Sequence, residues 1–128
     1  MSARFDGQGH EDDPCRARGV LAIVGDKWAL LIVRHLSGGP RRFSALKRDV
    51  EGISQRMLTV TLRDLERDGI LTRTVRNVMP PHVEYELTSM GVTLRQAAAP
   101  LLEWSIEHLE HIDVARAAYD ARKQNPPA

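Results

Sequence analysis

The chain has no apolar run that approaches the roughly 20 residues needed to cross a bilayer, so no membrane partner is expected. Its first residues are polar and acidic, without the basic-then-apolar order of a signal peptide, and the expected location is the cytoplasm. One cysteine, Cys15, excludes an intrachain disulfide. Aromatic residues make up only 5%, which leaves the core to Leu, Ile, Val and Ala. Phosphate-binding glycine loops, zinc-type Cys/His clusters and nucleophile motifs are missing, so neither a cofactor nor catalysis is expected. His108 and His111 share a helix face, but two ligands at that spacing do not make a metal site and read as solvated histidines. No repeat or low-complexity segment interrupts the chain.

What is present is a single domain's worth of sequence, 128 residues with 42% apolar and 27% charged side chains. The net charge of +1 hides an asymmetry. Nine cations between Arg41 and Arg76 face five anions, whereas both the first fifteen residues and the segment Glu103–Lys123 are net acidic. A basic middle between acidic ends suits one surface for phosphates and another for self-association.

Along the chain, residues 1–12 are aperiodic and polar and read as a mobile tail. Asp13-Pro14 resembles an N-cap with proline at the first helical position, opening a helix that carries Val20, Leu21, Ile23 and Val24 and stops at Gly25. Asp26 can cap a second helix from Lys27 to about Leu36, with Trp28, Leu31, Ile32 and Leu36 inward; Ser37-Gly38-Gly39-Pro40 ends it. A third helix is expected over Phe43–Asp49 and a fourth over Ser54–Asp68, separated by Glu51-Gly52-Ile53 and stopped by Gly69. The period then changes. Ile70 to about Asn77 and Val83–Leu87 read as two strands around Met79-Pro80-Pro81, with Tyr85 and Leu87 alternating against Glu84 and Glu86. From Thr88 or Ser89 a long helical region begins, which Pro100 should bend or break. An apolar band from Leu101 to Ile112 and a last short helix over Asp113–Lys123 follow.

The fourth helix carries the most information. Leu58, Leu62 and Leu65, with Thr61, repeat at the helical period of about 3.6 residues on one side, and Ser54, Gln55, Arg56, Thr59 and Arg63 lie on the other. An apolar inner stripe under an outer face of hydrogen-bonding and cationic side chains is what a DNA recognition helix requires. Arg56 has the donors for guanine O6/N7, and Gln55 for adenine N6/N7; Thr59 and Arg63 follow on the same face, and Ser54 with the free N–H groups of the helix start can hold a phosphate. Arg41 and Arg42 precede the third helix and could clamp the flanking backbone. Arg73, Arg76 and His82 belong to the hairpin, with Arg76 nearest its tip as the choice for a minor-groove or phosphate contact. Three of these arginines also have a purely structural reading. Arg56 and Arg63 could solvate a surface helix or pair with Asp64 and Glu66, and Arg73 could bridge the hairpin to Glu84 or Glu86.

The order helix, helix, helix-turn-helix, hairpin, helix predicts a mainly α chain with a small β-hairpin: a winged helix-turn-helix over residues 13–123. The helix-turn-helix falls at 43–68, the wing at 70–88 and the flanking dimerisation helices at 89–123. Cys15, Gly25-Asp-Lys-Trp28, Gly39-Pro-Arg-Arg-Phe43, Gly52-Ile-Ser-Gln-Arg-Met-Leu58, Leu62-Arg-Asp-Leu-Glu-Arg-Asp-Gly69 and Pro80-Pro-His-Val-Glu-Tyr-Glu-Leu-Thr88 resemble, in order, the HxlR-type regulators, relatives of the MarR group. The resemblance covers roughly residues 15 to 110; the acidic tail before Cys15 departs from it. It implies a homodimer, one wing and one recognition helix per subunit, on a near-palindromic double-stranded operator. The expected function is sequence-specific transcriptional regulation, as a repressor rather than an activator. It also implies a role for Cys15, since some HxlR-type proteins sense oxidants or electrophiles through an N-terminal cysteine. A thiol in the first turn of a helix, near Arg16 and Arg18, fits a thiolate, while Asp12 and Asp13 oppose it. An inert cysteine packed at the dimer interface is the competing reading.

Two other functions stand beside this one: a winged helix used as a protein–protein module, and a regulator switched by a small-molecule effector bound between the DNA-binding lobe and the dimer helices. The polar outer face of the fourth helix, coinciding with the basic segment, argues against the first. Trp28 and Trp104 read as core or interface anchors rather than as ligand platforms.

Overall fold

The computed structural model describes residues 13–124, apart from the side chains of Asp13, Pro14, Cys15 and Val24; the expected tail, 1–12, and the Asn125–Ala128 end lie outside the described residues. In chain order the elements are α1 (Asp13–Gly25), α2 (Lys27–His35), β1 (Arg41–Arg42), α3 (Phe43–Asp49), α4 (Gln55–Arg67), β2 (Leu71–Arg76), β3 (His82–Leu87), α5 (Ser89–Glu107) and α6 (Leu109–Gln124). The chain divides into two compact units, one running to Arg95 and the other starting at Gln96, so that α5 begins in the first and ends in the second.

In the first unit the helix boundaries follow capping chemistry. The Asp26 carboxylate accepts the N–H groups of Trp28 (2.9 Å) and Ala29 (3.0 Å), which fixes the start of α2 with only Asp26 between it and the end of α1. Ser54 Oγ accepts the N–H of Met57 at 3.0 Å and starts α4 in the same way. At the other end of α4, the N–H of Ile70 reaches the carbonyl of Leu65 (2.9 Å) and that of Gly69 the carbonyl of Glu66 (3.0 Å). This pattern needs a left-handed residue between helix and strand, and Gly69 supplies it at φ +77°.

Ala29, Ile32, Val33 and Leu36 of the α2 segment, Leu46 of α3, and Leu58, Leu62 and Leu65 of α4 meet in one core with Val50, Ile53, Ile70, Leu71 and Tyr85. Each fully buried Leu or Ile contributes about 1.5–3 kcal/mol of transfer free energy. Thr61 is the one buried polar residue among those described, and its hydroxyl donates to the Met57 carbonyl at 2.8 Å, which offsets the cost of burying it. The inner and outer faces of α4 are therefore those read from the sequence.

The three strands form an antiparallel sheet in the order β1-β3-β2. β2 and β3 are the expected hairpin, shifted by a residue at the ends. β1 was not expected. Two residues are too few for an alternation to show, and they are strand only because their backbone pairs with Tyr85 and Glu84.

Two expectations for the C-terminal region are revised. Of the bend or break expected at Pro100, the break does not occur: α5 runs through Pro100, and the chain is interrupted instead at His108. Pro100 costs α5 one hydrogen bond, to the carbonyl of Gln96, and the remaining turns are enough to carry the helix across. The last helix is also longer than Asp113–Lys123, starting at Leu109. In this second unit Trp104 and His108 stack with centroids 4.5 Å apart, and His108 Nδ1 lies 2.8 Å from the Trp104 carbonyl, which places the ring proton on Nδ1.

Candidate nucleic-acid interface

α4 presents Gln55, Arg56, Thr59, Val60 and Arg63 around one open, shallow hollow on its outer face. Four of these five were singled out from the sequence; Val60 was not. Its signal was available in the same wheel that assigned the others, since Val60 follows Arg56 by four residues and precedes Arg63 by three. Neither Arg56 nor Arg63 forms an ion pair among the described residues, so the pairing with Asp64 or Glu66 considered for them is not made. Thr59 is partly engaged: its hydroxyl donates to the Gln55 carbonyl at 2.9 Å. Ser54 spends its hydroxyl on the cap, and the N–H groups at the very start of α4 remain available to an acceptor.

The wing distributes its charges by strand parity. Successive side chains alternate between faces, and directly opposed residues share one. Arg73 is opposite Tyr85 and therefore on the other face from Glu84 and Glu86; it cannot make the cross-hairpin bridge considered for it. Arg76, opposite His82, is on the correct face, and its Nε lies 3.2 Å from Glu84 Oε1. His82 Nε2 approaches the other oxygen of the same carboxylate at 3.0 Å, and its Nδ1 lies 3.2 Å from the Pro80 carbonyl. These contacts hold the Glu84 carboxyl below its ordinary range, the His82 hydrogen bond first and Arg76 after it, against partial burial. Arg76 is thus tied to its own hairpin, whereas Arg73 is exposed and without an ion pair among the described residues.

A similar division separates Arg41 from Arg42. Arg41 pairs with Asp49 at the far end of α3, and Arg48 reaches the second oxygen of Asp49 at 3.1 Å. The hydrogen bond from Arg48, then that from Arg41, lowers the Asp49 carboxyl from its ordinary value. Arg42 is exposed at the start of α3 and forms no ion pair among the described residues. No group of three or more His, Cys, Asp or Glu able to hold a metal occurs among the described residues. No described helix is long and apolar enough to cross a membrane.

A short helix and a longer amphipathic one joined by a tight turn, followed by a β-hairpin, define a winged helix-turn-helix, with α4 in the position of the recognition helix. The comparisons with known proteins carry this to a family. The model of the HxlR-like helix-turn-helix matches residues 23–113, and the chain belongs to that family of transcriptional regulators. An uncharacterized HTH-type transcriptional regulator of Bacillus subtilis (strain 168), YdeP, is 39% identical over 107 residues, 84% of each chain. Among solved structures, YtfH of Salmonella typhimurium, assigned as a transcriptional regulator, superimposes with a TM-score of 0.72 at 40% identity, covering 79% of this chain and 90% of that one. The redox regulator HypR in its oxidized form gives a TM-score of 0.67 at 40% identity, over 73% and 96%. This is a helix-turn-helix transcriptional regulator, not a member of an enzyme family.

Proposed function

We propose that the chain is a sequence-specific DNA-binding repressor that acts as a homodimer on a near-palindromic operator, with α4 in the major groove. The observation that carries this reading is the outer face of α4, where Gln55, Arg56, Thr59 and Arg63 share one hollow and both guanidinium groups are free of ion pairs among the described residues. Arg56 is suited to guanine and Gln55 to adenine; Ser54 and the helix start take a phosphate. Arg42 and Arg73 are the better-suited backbone contacts, because Arg41 and Arg76 would have to leave Asp49 and Glu84. The dimer reading, with dimerisation helices over 89–123, is supported in each unit separately. Val20 and Leu21 of α1 are more than 60% exposed, and Trp104, Ile106 and Leu109 each more than 50%. Large apolar side chains left this open are typical of surfaces that pair.

Regulation is proposed to pass through Cys15. Its backbone lies in the first turn of α1, where the helix dipole favours a thiolate, and its side chain lies outside the described residues. Similarity to a redox regulator supports this reading over an inert cysteine. Two-electron oxidation by an added oxidant would join the Cys15 thiolates of the two subunits in a disulfide. A small-molecule effector is the alternative switch, and a cytoplasmic location accompanies either.

The test is selection of duplexes from genomic fragments by the wild type and by Arg56→Ala, with and without a thiol oxidant. Tight binding that weakens steeply with salt and is lost in Arg56→Ala is expected, since phosphate neutralisation dominates affinity. Oxidant-induced release that disappears in Cys15→Ser would bear out the switch; release that persists would assign it to an effector. Selection of no duplex would favour the protein–protein module.

A further inference from the structure

α4 leaves two apolar side chains open. Leu58, Leu62 and Leu65 are at most 2% exposed, whereas Met57 is 41% and Val60 38% exposed, and of these two it is Val60 that lines the hollow between Arg56 and Arg63. A β-branched residue lowers helix propensity relative to alanine, and more than a third of Val60 is left open beside the two arginines. Thr59 beside it has the same outward chemistry. Its hydroxyl proton is committed to the Gln55 carbonyl at 2.9 Å, so toward a base the hydroxyl can only accept, and the γ-methyl is the apolar group Thr59 has to offer. The hollow therefore combines the aliphatic groups of Thr59 and Val60 with the hydrogen-bonding side chains of Gln55, Arg56 and Arg63.

In the major groove one base-pair edge offers an apolar group, the C5-methyl of thymine, and contact with an aliphatic side chain is how it is read. We propose that α4 recognises thymine through that methyl group, with Val60 as the principal contact and Thr59 as the second, beside the purines hydrogen-bonded by Gln55 and Arg56. The inference rests on the DNA-binding reading and adds what the hydrogen-bonding residues cannot supply: discrimination of thymine from cytosine and uracil at positions without a donor–acceptor match. Removing one methyl from a closed apolar contact should weaken binding about three- to fivefold.

The experiment uses the full chain and a duplex it has selected, with each thymine replaced singly by deoxyuridine, which deletes the methyl and leaves every hydrogen-bonding group. Wild type should lose about three- to fivefold in Kd at one or two thymines of each half-site. Val60→Ala should bind the thymine form more weakly and lose most of the difference between thymine and uracil, Thr59 accounting for any remainder; Val60→Thr, which keeps the shape and one methyl, should retain more of it. Circular dichroism checks that each variant is folded, and should Val60→Ala not be, the wild-type scan and Val60→Thr decide. A wild type indifferent to every replacement, or a folded Val60→Ala that keeps full discrimination, overturns the methyl reading while leaving DNA binding intact. Failure of the wild type to select any duplex overturns both.

Discussion

Gly91 lies in the first turn of α5, where a helical glycine ordinarily invites replacement by alanine, a change worth about 1 kcal/mol of stabilisation through propensity. Here the sign should reverse. Thr88 stitches the start of α5 to the junction of α4 and β2. Its N–H donates to the Ile70 carbonyl at 3.0 Å, and its hydroxyl shares its one proton between the carbonyls of Gly69 (2.6 Å) and Ile70 (3.1 Å) while accepting the N–H of Gly91 (3.0 Å). That arrangement brings the Gly91 backbone so close to Ile70 that an added Cβ would overlap the Ile70 carbonyl oxygen and lie 3.1 Å from both the Ile70 carbonyl carbon and Leu87 Cδ2. A backbone carbonyl cannot swing aside as a long side chain can, and Ile70 is itself held by its bond to Leu65. The helix must therefore move off the base of the wing. Overpacking of this kind costs about 1–3 kcal/mol, and losing two of the Thr88 bonds about 1 kcal/mol each. Set against the propensity gain, Gly91→Ala should lose about 3 kcal/mol, a fall of roughly 10 °C in Tm at a few degrees per kcal/mol. Urea and thermal unfolding followed by circular dichroism measure it. Gly19→Ala in α1 is the control, because a Cβ there meets nothing within 4 Å and should be neutral or stabilising. A Gly91→Ala protein as stable as wild type would refute the reasoning.

Ser54→Ala removes the acceptor for the Met57 N–H and should cost about 1 kcal/mol of stability; it should weaken operator binding by more than the loss of folded protein explains, read by comparing urea unfolding with Kd. Glu84 has a folded pKa depressed below its ordinary value of 4.5, so its contribution to stability is present above that value and lost as pH falls through the depressed one. Glu84→Gln should accordingly flatten the dependence of the urea midpoint on pH below 4.5, and an unchanged acid limb would show that the wing cluster contributes nothing. Arg73→Ala should lower the salt dependence of DNA binding by about one counterion, whereas Arg76→Ala should change it less, because Arg76 is already neutralised by Glu84. Equal effects of the two on the slope of log Kd against log salt would contradict the assignment.

The fourth helix could be read from the residues because everything that fixes it is local: a serine cap, leucines at the helical period, a glycine where the chain must turn left-handed. The alternation of Val83, Tyr85 and Leu87 against Glu84 and Glu86 likewise needed no partner to be seen, and with it came the wing, the fold class and the outer face of α4. What the residues alone left open depended on pairing across the chain. β1 exists only because β3 lies beside it. The cross-hairpin ion pair belongs to Arg76 and not Arg73, since register decides which cation shares a face with Glu84. Arg41 is occupied by Asp49, eight residues on, while Arg42 is left for other partners. Gly91 has no sequence signal separating it from any helical glycine; only the approach of Ile70 gives it one. Composition and periodicity set which groups could serve a site, because they act within a turn or two of chain, and the packing of distant segments decided which of those groups remained free to do so.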